Sequence, residues 1–178
     1  MANSSDRFES DGVAAPTRKL DLVGLSPLVT LALKIADAEI GVTEQPPGSN
    51  RGPRVDEYVV GVHGGGSYLL GNRWCGRFAR YVFEQAAHDL GLLKPFAGAG
   101  DLASALKWRD WARRVGRLRT DPQRGYVGLL LSGAHGHVVV CSEVRGEYAQ
   151  TIEGNSGNAV RTLLRPRDSF AHWVQAVD

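Results

Sequence analysis

The sequence predicts an α+β fold, with helices in the first two thirds of the chain and strands in the last third. Three stretches with helical spacing of apolar residues precede residue 116, and short β-rich runs separated by Gly and Ser turns begin near residue 126. Helices followed by a meander of strands are typical of α+β domains. The chain has 178 residues, 43% of them hydrophobic, which suits one domain with its own core.

Residues 1–25 are polar and lack periodicity, so we expect a flexible tail before a single domain at 26–178. Ser26 and Pro27 form a good helix start, since Ser caps free N–H groups and Pro suits the first turn. Gly41 ends this first helix. Its expected buried face consists of four apolar residues at helical spacing: Leu28, Leu31, Ile35 and Ala38.

A second helix is predicted from Trp74-Cys75 to about Leu90, and Gly91 ends it. Its core stripe contains Phe78, Val82 and Ala86, with Ala79 and Phe83 beside them. A third helix is expected over Asp101–Val115. The segment Glu44–Pro53 contains too many Pro and Gly residues for a helix or a central strand. The predicted strands are Tyr126–Leu131, His137–Val144, Tyr148–Glu153, Ala159–Leu164 and a last one within Phe170–Val177.

Composition excludes several classes of protein. The net charge is only +2, which gives no composition-level case for nucleic acid or an anionic membrane surface, although it leaves room for a local patch. Two cysteines are too few for a disulfide framework. No basic start with an apolar stretch follows Met1, and no apolar run is long enough to span a bilayer. We therefore expect synthesis in the cytoplasm without a Sec signal and no membrane span.

Cys75 stands where a loop ends and a helix begins. Free N–H groups and the helix dipole at such a position stabilise an anion, so a thiolate is favoured there. A nearby N–H would also donate to an oxyanion during acyl transfer. A buried cysteine is also commonly a small hydrophobic residue, and we assign that role to Cys141, which ends the apolar run HVVVC.

A nucleophilic cysteine needs an imidazole to move its proton and a third group to orient that imidazole. His135 and His137 flank Gly136 at the mouth of a strand, and strand alternation places both on one face. His137, at the strand's start, is the better-framed candidate. Glu153 and Asn155 share a face of the next strand, and either is a candidate orienting group, although Gly154–Gly157 is also good turn chemistry.

A zinc site is an alternative use of the same residue types. His135, His137, Cys141 and Glu153 are all potential zinc ligands, but their spacing on strands matches no zinc signature. We therefore expect no metal site in these residues.

Three blocks of this sequence together resemble the CHAP family of cysteine- and histidine-dependent amidohydrolases and peptidases, within the papain-like, NlpC-type superfamily of bacterial cell-wall hydrolases. Asn72–Phe78 is similar to the family's tryptophan–cysteine block, Gly136–Val140 to its glycine–histidine–valine strand, and Thr151–Asn155 to its glutamate–glycine–asparagine strand. The segments Ile40–Glu44 and Pro46–Asn50 also resemble a region that precedes the cysteine in some relatives. The resemblance covers about Ser26 to Asp178 in the right order.

The resemblance implies a papain-like fold with the cysteine helix packed on a C-terminal antiparallel sheet. It implies Cys75 as nucleophile, His137 as general base and acid, and Glu153 with Asn155 as its supports. The implied reaction is hydrolysis of an amide in peptidoglycan, by an endopeptidase of the peptide or an amidase between muramic acid and alanine. No cofactor is needed for this chemistry, although some relatives bind calcium. We expect Trp74, Asn50 and His135 to contact the substrate.

Two departures from the family pattern stand out. Small residues usually follow the cysteine, whereas Gly76-Arg77 places a large cation there, and Gln123–Tyr126 replaces a Pro-Gly-Asp sequence. These changes leave room for a non-catalytic wall-binding or injection-machine component of the same fold. An intracellular thiol protease or deamidase acting on a protein is a third hypothesis.

Because Cys75, His137 and Glu153 are intact, we expect an active enzyme that acts on the cell wall after lysis, injection or non-classical export. The expected partners are peptidoglycan and, for delivery, secretion or contractile-injection machinery or an immunity protein.

Overall fold

The computed structural model describes residues 12–14, 20, 22–61, 67–132 and 136–177 of the chain. Its helices are α1 (Pro27–Ala38), α2 (Pro53–Val60), α3 (Cys75–Asp89) and α4 (Ala105–Arg114). Its strands are β1 (Val13–Ala14), β2 (Leu118–Arg119), β3 (Val127–Leu130), β4 (His137–Arg145), β5 (Tyr148–Ser156), β6 (Ala159–Pro166) and β7 (His172–Val174). Short 3₁₀ helices cover Ser67–Leu69 and Arg167–Ser169.

The strands form one antiparallel sheet in the order β1-β6-β5-β4-β3-β7-β2. The centre of the sheet is the meander of β3 to β6, in which successive strands pair. The cysteine helix α3 packs on β4 and β5. The predicted α+β class, with helices first and strands last, is therefore confirmed for the described residues.

Two apolar clusters stabilise the sheet. Val138 and Val140 of β4 belong to the larger cluster, which also contains the buried residues of α1 and α3. Val139 and Cys141 belong to a smaller cluster with Phe170 and Trp173. Neighbouring residues of a strand point to opposite faces, so β4 is buried on both sides. Cys141 is fully buried, as its apolar run predicts.

The helix ends follow their sequence signals. Ser26 caps α1, with its hydroxyl accepting from Val29 N–H at 3.3 Å, and Ser104 caps α4 by accepting from Lys107 N–H at 3.4 Å. Helix α4 thus begins four residues later than the predicted Asp101. The predicted face of α1 is shifted, because Ala32, Leu33 and Ala36 are buried; Leu28, Leu31 and Ile35 pack only partly, and Ala38 is exposed.

Helix α2 is not among the three helices that the sequence predicts. Its Tyr58 hydroxyl donates to the buried Glu39 carboxylate at 2.6 Å, and Arg54 Nε donates to the same carboxylate at 2.9 Å. The Tyr58 ring also packs edge-on against Phe78 of α3, with centroids 5.2 Å apart. These contacts fix α2 against the cysteine helix.

Most of the segment predicted as a flexible tail lies outside the described residues. Within it, however, Val13 and Ala14 pair with Leu164 and Leu163 of β6. Leu20, Leu22 and Leu25 pack against the larger core cluster. These residues therefore belong to the domain rather than to a free tail. In the described part of the chain, every helix is too short or too polar to cross a membrane.

A cluster of aromatic side chains forms the part of the core that lies beside α4. Phe96 lies in the connection between α3 and α4 and packs edge-on against Trp108 and Trp111, with centroids 5.0 and 5.2 Å apart. Phe83 of α3 contacts the same ring at 6.2 Å. Phe96 is fully buried, so this connection carries part of the core although it has no regular structure.

We predict that Phe96→Ala lowers the free energy of unfolding by about 3–5 kcal/mol, because it leaves a cavity among three aromatic rings. The matched control is Leu93→Ala in the same connection. Leu93 is 93% exposed, and its truncation should change stability by less than about 0.5 kcal/mol. Urea unfolding of both variants measures the difference, and equal stabilities would contradict this role of Phe96.

Candidate active site

Cys75 is the first residue of α3, and its side chain is buried. The first N–H groups of a helix have no partner within the helix, and the residue before α3, Trp74, provides no side-chain cap. Backbone N–H groups of Gly76 and Val138 hydrogen-bond to the Cys75 sulfur. The sulfur therefore lies among donors that stabilise a thiolate.

His137, the first residue of β4, contacts both neighbours needed for proton transfer. Its Nε2 lies 2.9 Å from Glu153 Oε2, and a second side-chain hydrogen bond joins it to Cys75. An imidazole has two ring nitrogens, so Nδ1 is the one left for the thiol. Glu153 accepts a hydrogen bond from Nε2–H, and this bond orients the imidazole ring with Nδ1 toward the Cys75 sulfur. Of the two residues that the sequence offered as orienting groups, Glu153 and Asn155, Glu153 is the one that hydrogen-bonds to His137.

Glu153 is itself held by a fully buried ion pair. Its Oε1 accepts from Arg165 Nε at 2.6 Å and from the Thr151 hydroxyl at 2.5 Å, and its Oε2 accepts from Arg165 Nη2 at 2.8 Å. Arg165, on β6, is as fully buried as Glu153. A buried carboxylate requires this kind of pairing, because an isolated charge there is strongly unfavourable.

The electrostatics of the site favour an ion pair between Cys75 and His137. Burial raises the pKa of the Cys75 thiol, but the hydrogen bond and charge of His137 and the two backbone N–H groups outweigh burial, so the net pKa is lowered. Burial lowers the pKa of His137, but its bonds to Cys75 and Glu153 raise that pKa to about 9. For Glu153, burial opposes the effect of Arg165 and His137, and the pKa falls to about 2. Cys141 differs, because burial raises its pKa to about 12.

A polar cluster holds the turn before Cys75. The buried Glu44 carboxylate accepts from Trp74 Nε1 and from Asn50 N–H, both at 2.9 Å. The Asn155 amide lies 2.9 Å from Asn50 Oδ1. In the swapped orientation of this amide, Nδ2 donates to Glu44 Oε1 at 3.2 Å, Oδ1 accepts from Trp74 N–H at 3.3 Å, and Oδ1 rather than Nδ2 faces Asn50. Three loop and strand residues thus fix the backbone at the nucleophile.

This cluster corrects two sequence expectations. Trp74 is fully buried, so its indole anchors the turn and does not face a substrate. Asn155 was expected to support His137, but its contacts run to the cluster around Trp74. The physical reason is that the β5–β6 ladder is irregular between Glu153 and Ser156, and Asn155 has a left-handed φ of 59°. Strict alternation therefore does not govern its side chain.

The unusual Gly76-Arg77 pair has a structural explanation. A Cβ on Gly76 would lie 2.2 Å from the Leu102 carbonyl oxygen, so only Gly fits. Arg77 is buried and forms a bidentate salt bridge with Asp101, with Nε–Oδ1 at 3.1 Å and Nη2–Oδ2 at 2.9 Å. Its Nη1 also donates to the Arg73 carbonyl at 3.1 Å. The large cation thus ties the loops around the start of α3 together.

The structure brings Cys75, His137 and Glu153 together as the sequence analysis expected, and it places Asn50 and Asn155 beside Trp74. The expected contact residue His135 lies outside the described residues. Across the ranges that the structure describes, no group of three or more His, Cys, Asp and Glu side chains is arranged to hold a metal ion.

Sequence reasoning missed Arg165, Thr151 and Glu44. Arg165 directly follows the predicted strand Ala159–Leu164, and a charged residue at the end of that run was the available signal for the ion pair.

Comparisons with known proteins add little to this geometry. No family model matches the chain, and no curated protein sequence matches it. The crystal structure of Ly7917 aligns with 82% of this chain at 17% sequence identity and a TM-score of 0.45. The aligned part is 61% of the Ly7917 chain. The chain's own geometry therefore carries the functional interpretation.

We predict a pH-dependent stability that originates at Glu153. Its pKa is lowered from 4.5 to about 2, so its stabilising contribution is complete above pH 4.5 and is lost as the pH falls through 2. In Cys75→Ala protein, where the thiol no longer titrates, Glu153→Gln should lower the free energy of unfolding by about 3 kcal/mol near pH 6.

This difference should shrink as the pH approaches 2, as measured by urea unfolding over a pH series. The control is Glu147→Gln, which removes one exposed carboxylate in place of the buried one. A deficit for Glu153→Gln that stays constant down to pH 2 would contradict the assignment.

Proposed function

We propose that the protein is a cysteine amidohydrolase or peptidase with a papain-like arrangement, acting on an amide bond of peptidoglycan. The observation that carries the proposal is the hydrogen-bonded series Cys75–His137–Glu153, with His137 Nε2 held 2.9 Å from Glu153. A nucleophile at a helix start, a base in contact with it and a third group that orients the base are the parts required for thiol catalysis. The raised pKa of His137 and lowered pKa of Cys75 support the same roles.

In the proposed mechanism the sulfur proton resides on His137 Nδ1 before substrate binds. The Cys75 thiolate attacks the carbonyl carbon of the amide, and a C–S bond forms while the carbonyl π electrons move to oxygen. Backbone N–H groups at the start of α3 are the proposed donors for that oxyanion. Because these donors are fixed by the cluster around Trp74, they need no rearrangement during the reaction.

The second half of the reaction uses the same histidine. His137 transfers its proton to the amide nitrogen, the C–N bond breaks, and the amine leaves a thioester on Cys75. His137 then accepts a proton from water, which attacks the thioester and releases a carboxylic acid and the thiolate–imidazolium pair. Throughout, the ionised Glu153 stabilises the imidazolium, and Arg165 keeps Glu153 ionised.

Peptidoglycan as substrate rests on the sequence resemblance to CHAP hydrolases. The cleaved bond is either within the peptide or between muramic acid and alanine, and Asn50, half-buried beside the Trp74 turn, is the proposed substrate contact. Delivery to the wall by lysis, injection or non-classical export, with the corresponding machinery or an immunity protein as partner, is part of the same proposal.

We predict that purified sacculi incubated with the protein release soluble muropeptides, and that Cys75→Ala reduces release by at least about 10⁴-fold, since no nucleophile remains. Cys141→Ala is the matched control, because it removes the other buried thiol, and it should retain activity. Mass spectrometry of the released fragments identifies the bond: a new free amine on a peptide residue indicates endopeptidase cleavage, and a free N-terminal alanine indicates amidase cleavage.

Other outcomes discriminate the alternatives. Equal release by wild type and Cys75→Ala would contradict the proposal. Sedimentation with sacculi without release by either protein would favour a wall-binding component. Absence of both, with cleavage or deamidation of a protein substrate, would favour an intracellular thiol enzyme.

A further inference from the structure

The small net charge of the chain conceals a strong local asymmetry. Residues 105–119, from α4 to β2, contain six basic residues and one acidic residue, a net charge of +5. The whole chain has a net charge of +2, so the remaining residues sum to −3. The basic residues are Lys107, Arg109, Arg113, Arg114, Arg117 and Arg119. We call the first four, all on α4, the basic strip.

The basic strip occupies the outer side of α4. Trp108 and Trp111 are buried and pack with Phe96, while Lys107, Arg113 and Arg114 are exposed. The carboxylate within the helix, Asp110, is bound by Arg109 at 2.8 Å. Just beyond the helix, Arg119 donates to Gln175 Oε1 at 2.6 Å, which is a neutral acceptor.

Helix α4, which carries the basic strip, contacts the segments of the candidate active site. A Cβ on Gly136, the residue before His137, would lie 2.8 Å from the Cβ of Ala105 at the start of α4. Trp108 Nε1 donates to the Gly76 carbonyl, beside Cys75, at 3.2 Å. Helix α4 thus contacts both segments that supply the catalytic pair, and its basic side chains start within one turn of those contacts.

The pKa of His172 depends on charges of the basic strip. This histidine lies on β7, which packs against α4. Burial lowers its pKa, and the charges of Arg109 and Arg113 lower it further. The two guanidinium groups therefore act on the same imidazole.

We propose that the basic strip binds carboxylate groups of the same polymer whose scissile amide reaches Cys75, so that the substrate is an anionic peptide-bearing polymer. This inference rests on the proposed function. Guanidinium groups form paired hydrogen bonds with carboxylates, which suits the Arg-rich composition of the strip. Peptide stems carry free carboxylates close to their amide bonds. Single-stranded nucleic acid is a poorer fit, because the tryptophans of α4 are buried and offer no stacking surface.

The test measures binding separately from catalysis. In the Cys75→Ala background, Arg113→Gln/Arg114→Gln should bind purified sacculi roughly fivefold more weakly than the parent at low salt, the effect of two exposed charge pairs. The difference should vanish at high salt through screening. The control is Lys34→Gln/Arg167→Gln, which removes two positive charges elsewhere and should bind like the parent.

Chemically modified sacculi identify the ligand. Amidation of their carboxyl groups should reduce parent binding to the level of the Arg113→Gln/Arg114→Gln variant, whereas removal of wall phosphate polymers should leave binding unchanged. Equal binding by strip and control variants would overturn the inference, as would a loss of binding on phosphate removal alone. Hydrolysis by protein with Cys75 intact is assayed in parallel: binding without hydrolysis refutes the proposed function, and hydrolysis without strip dependence refutes only this inference.

Discussion

The buried ion pair between Glu153 and Arg165 is the interaction on which the site depends. Glu153 has no contact with solvent, and Arg165 and Thr151 satisfy its oxygens from two strands. Pairing keeps the carboxylate ionised, and an ionised carboxylate holds His137 in the orientation that directs Nδ1 toward Cys75. The paired strands β4, β5 and β6 thus form a rigid frame that keeps the charged groups of His137, Glu153 and Arg165 in contact.

A second set of contacts fixes the other half of the site. Cys75 lies at a helix start, whose position depends on Glu44, Asn50 and Asn155 around the turn. On the far side of the same turn, Gly76 permits close approach of the Leu102 carbonyl and Arg77 grips Asp101. The sheet therefore positions His137, and the loops around the turn position Cys75.

Local patterns predicted the parts of the molecule that depend on neighbouring residues. Periodicity and turn chemistry predicted the apolar stripe of α3, the Ser26 cap and the central strands. Local patterns also identified three candidate site residues: Cys75, His137 and Glu153. The expectations for Trp74 and Asn155 depended on distant contacts. The Trp74 indole hydrogen-bonds to Glu44, thirty residues away, and an irregular pairing of β5 with β6 changes the direction of the Asn155 side chain. Arg165 required knowledge of which strand lies beside β5.

The most direct test of the account is the ionisation of Cys75, followed by the ultraviolet absorbance of its thiolate across a pH series in Cys141→Ala protein. The account predicts that the Cys75 pKa lies below its ordinary value of 9.0, because His137 and two backbone N–H groups stabilise the thiolate. Adding His137→Gln should shift the titration to 9.0 or above, since burial then opposes ionisation. Titration at or above 9.0 in both proteins would contradict the claim that His137 holds Cys75 as an activated nucleophile.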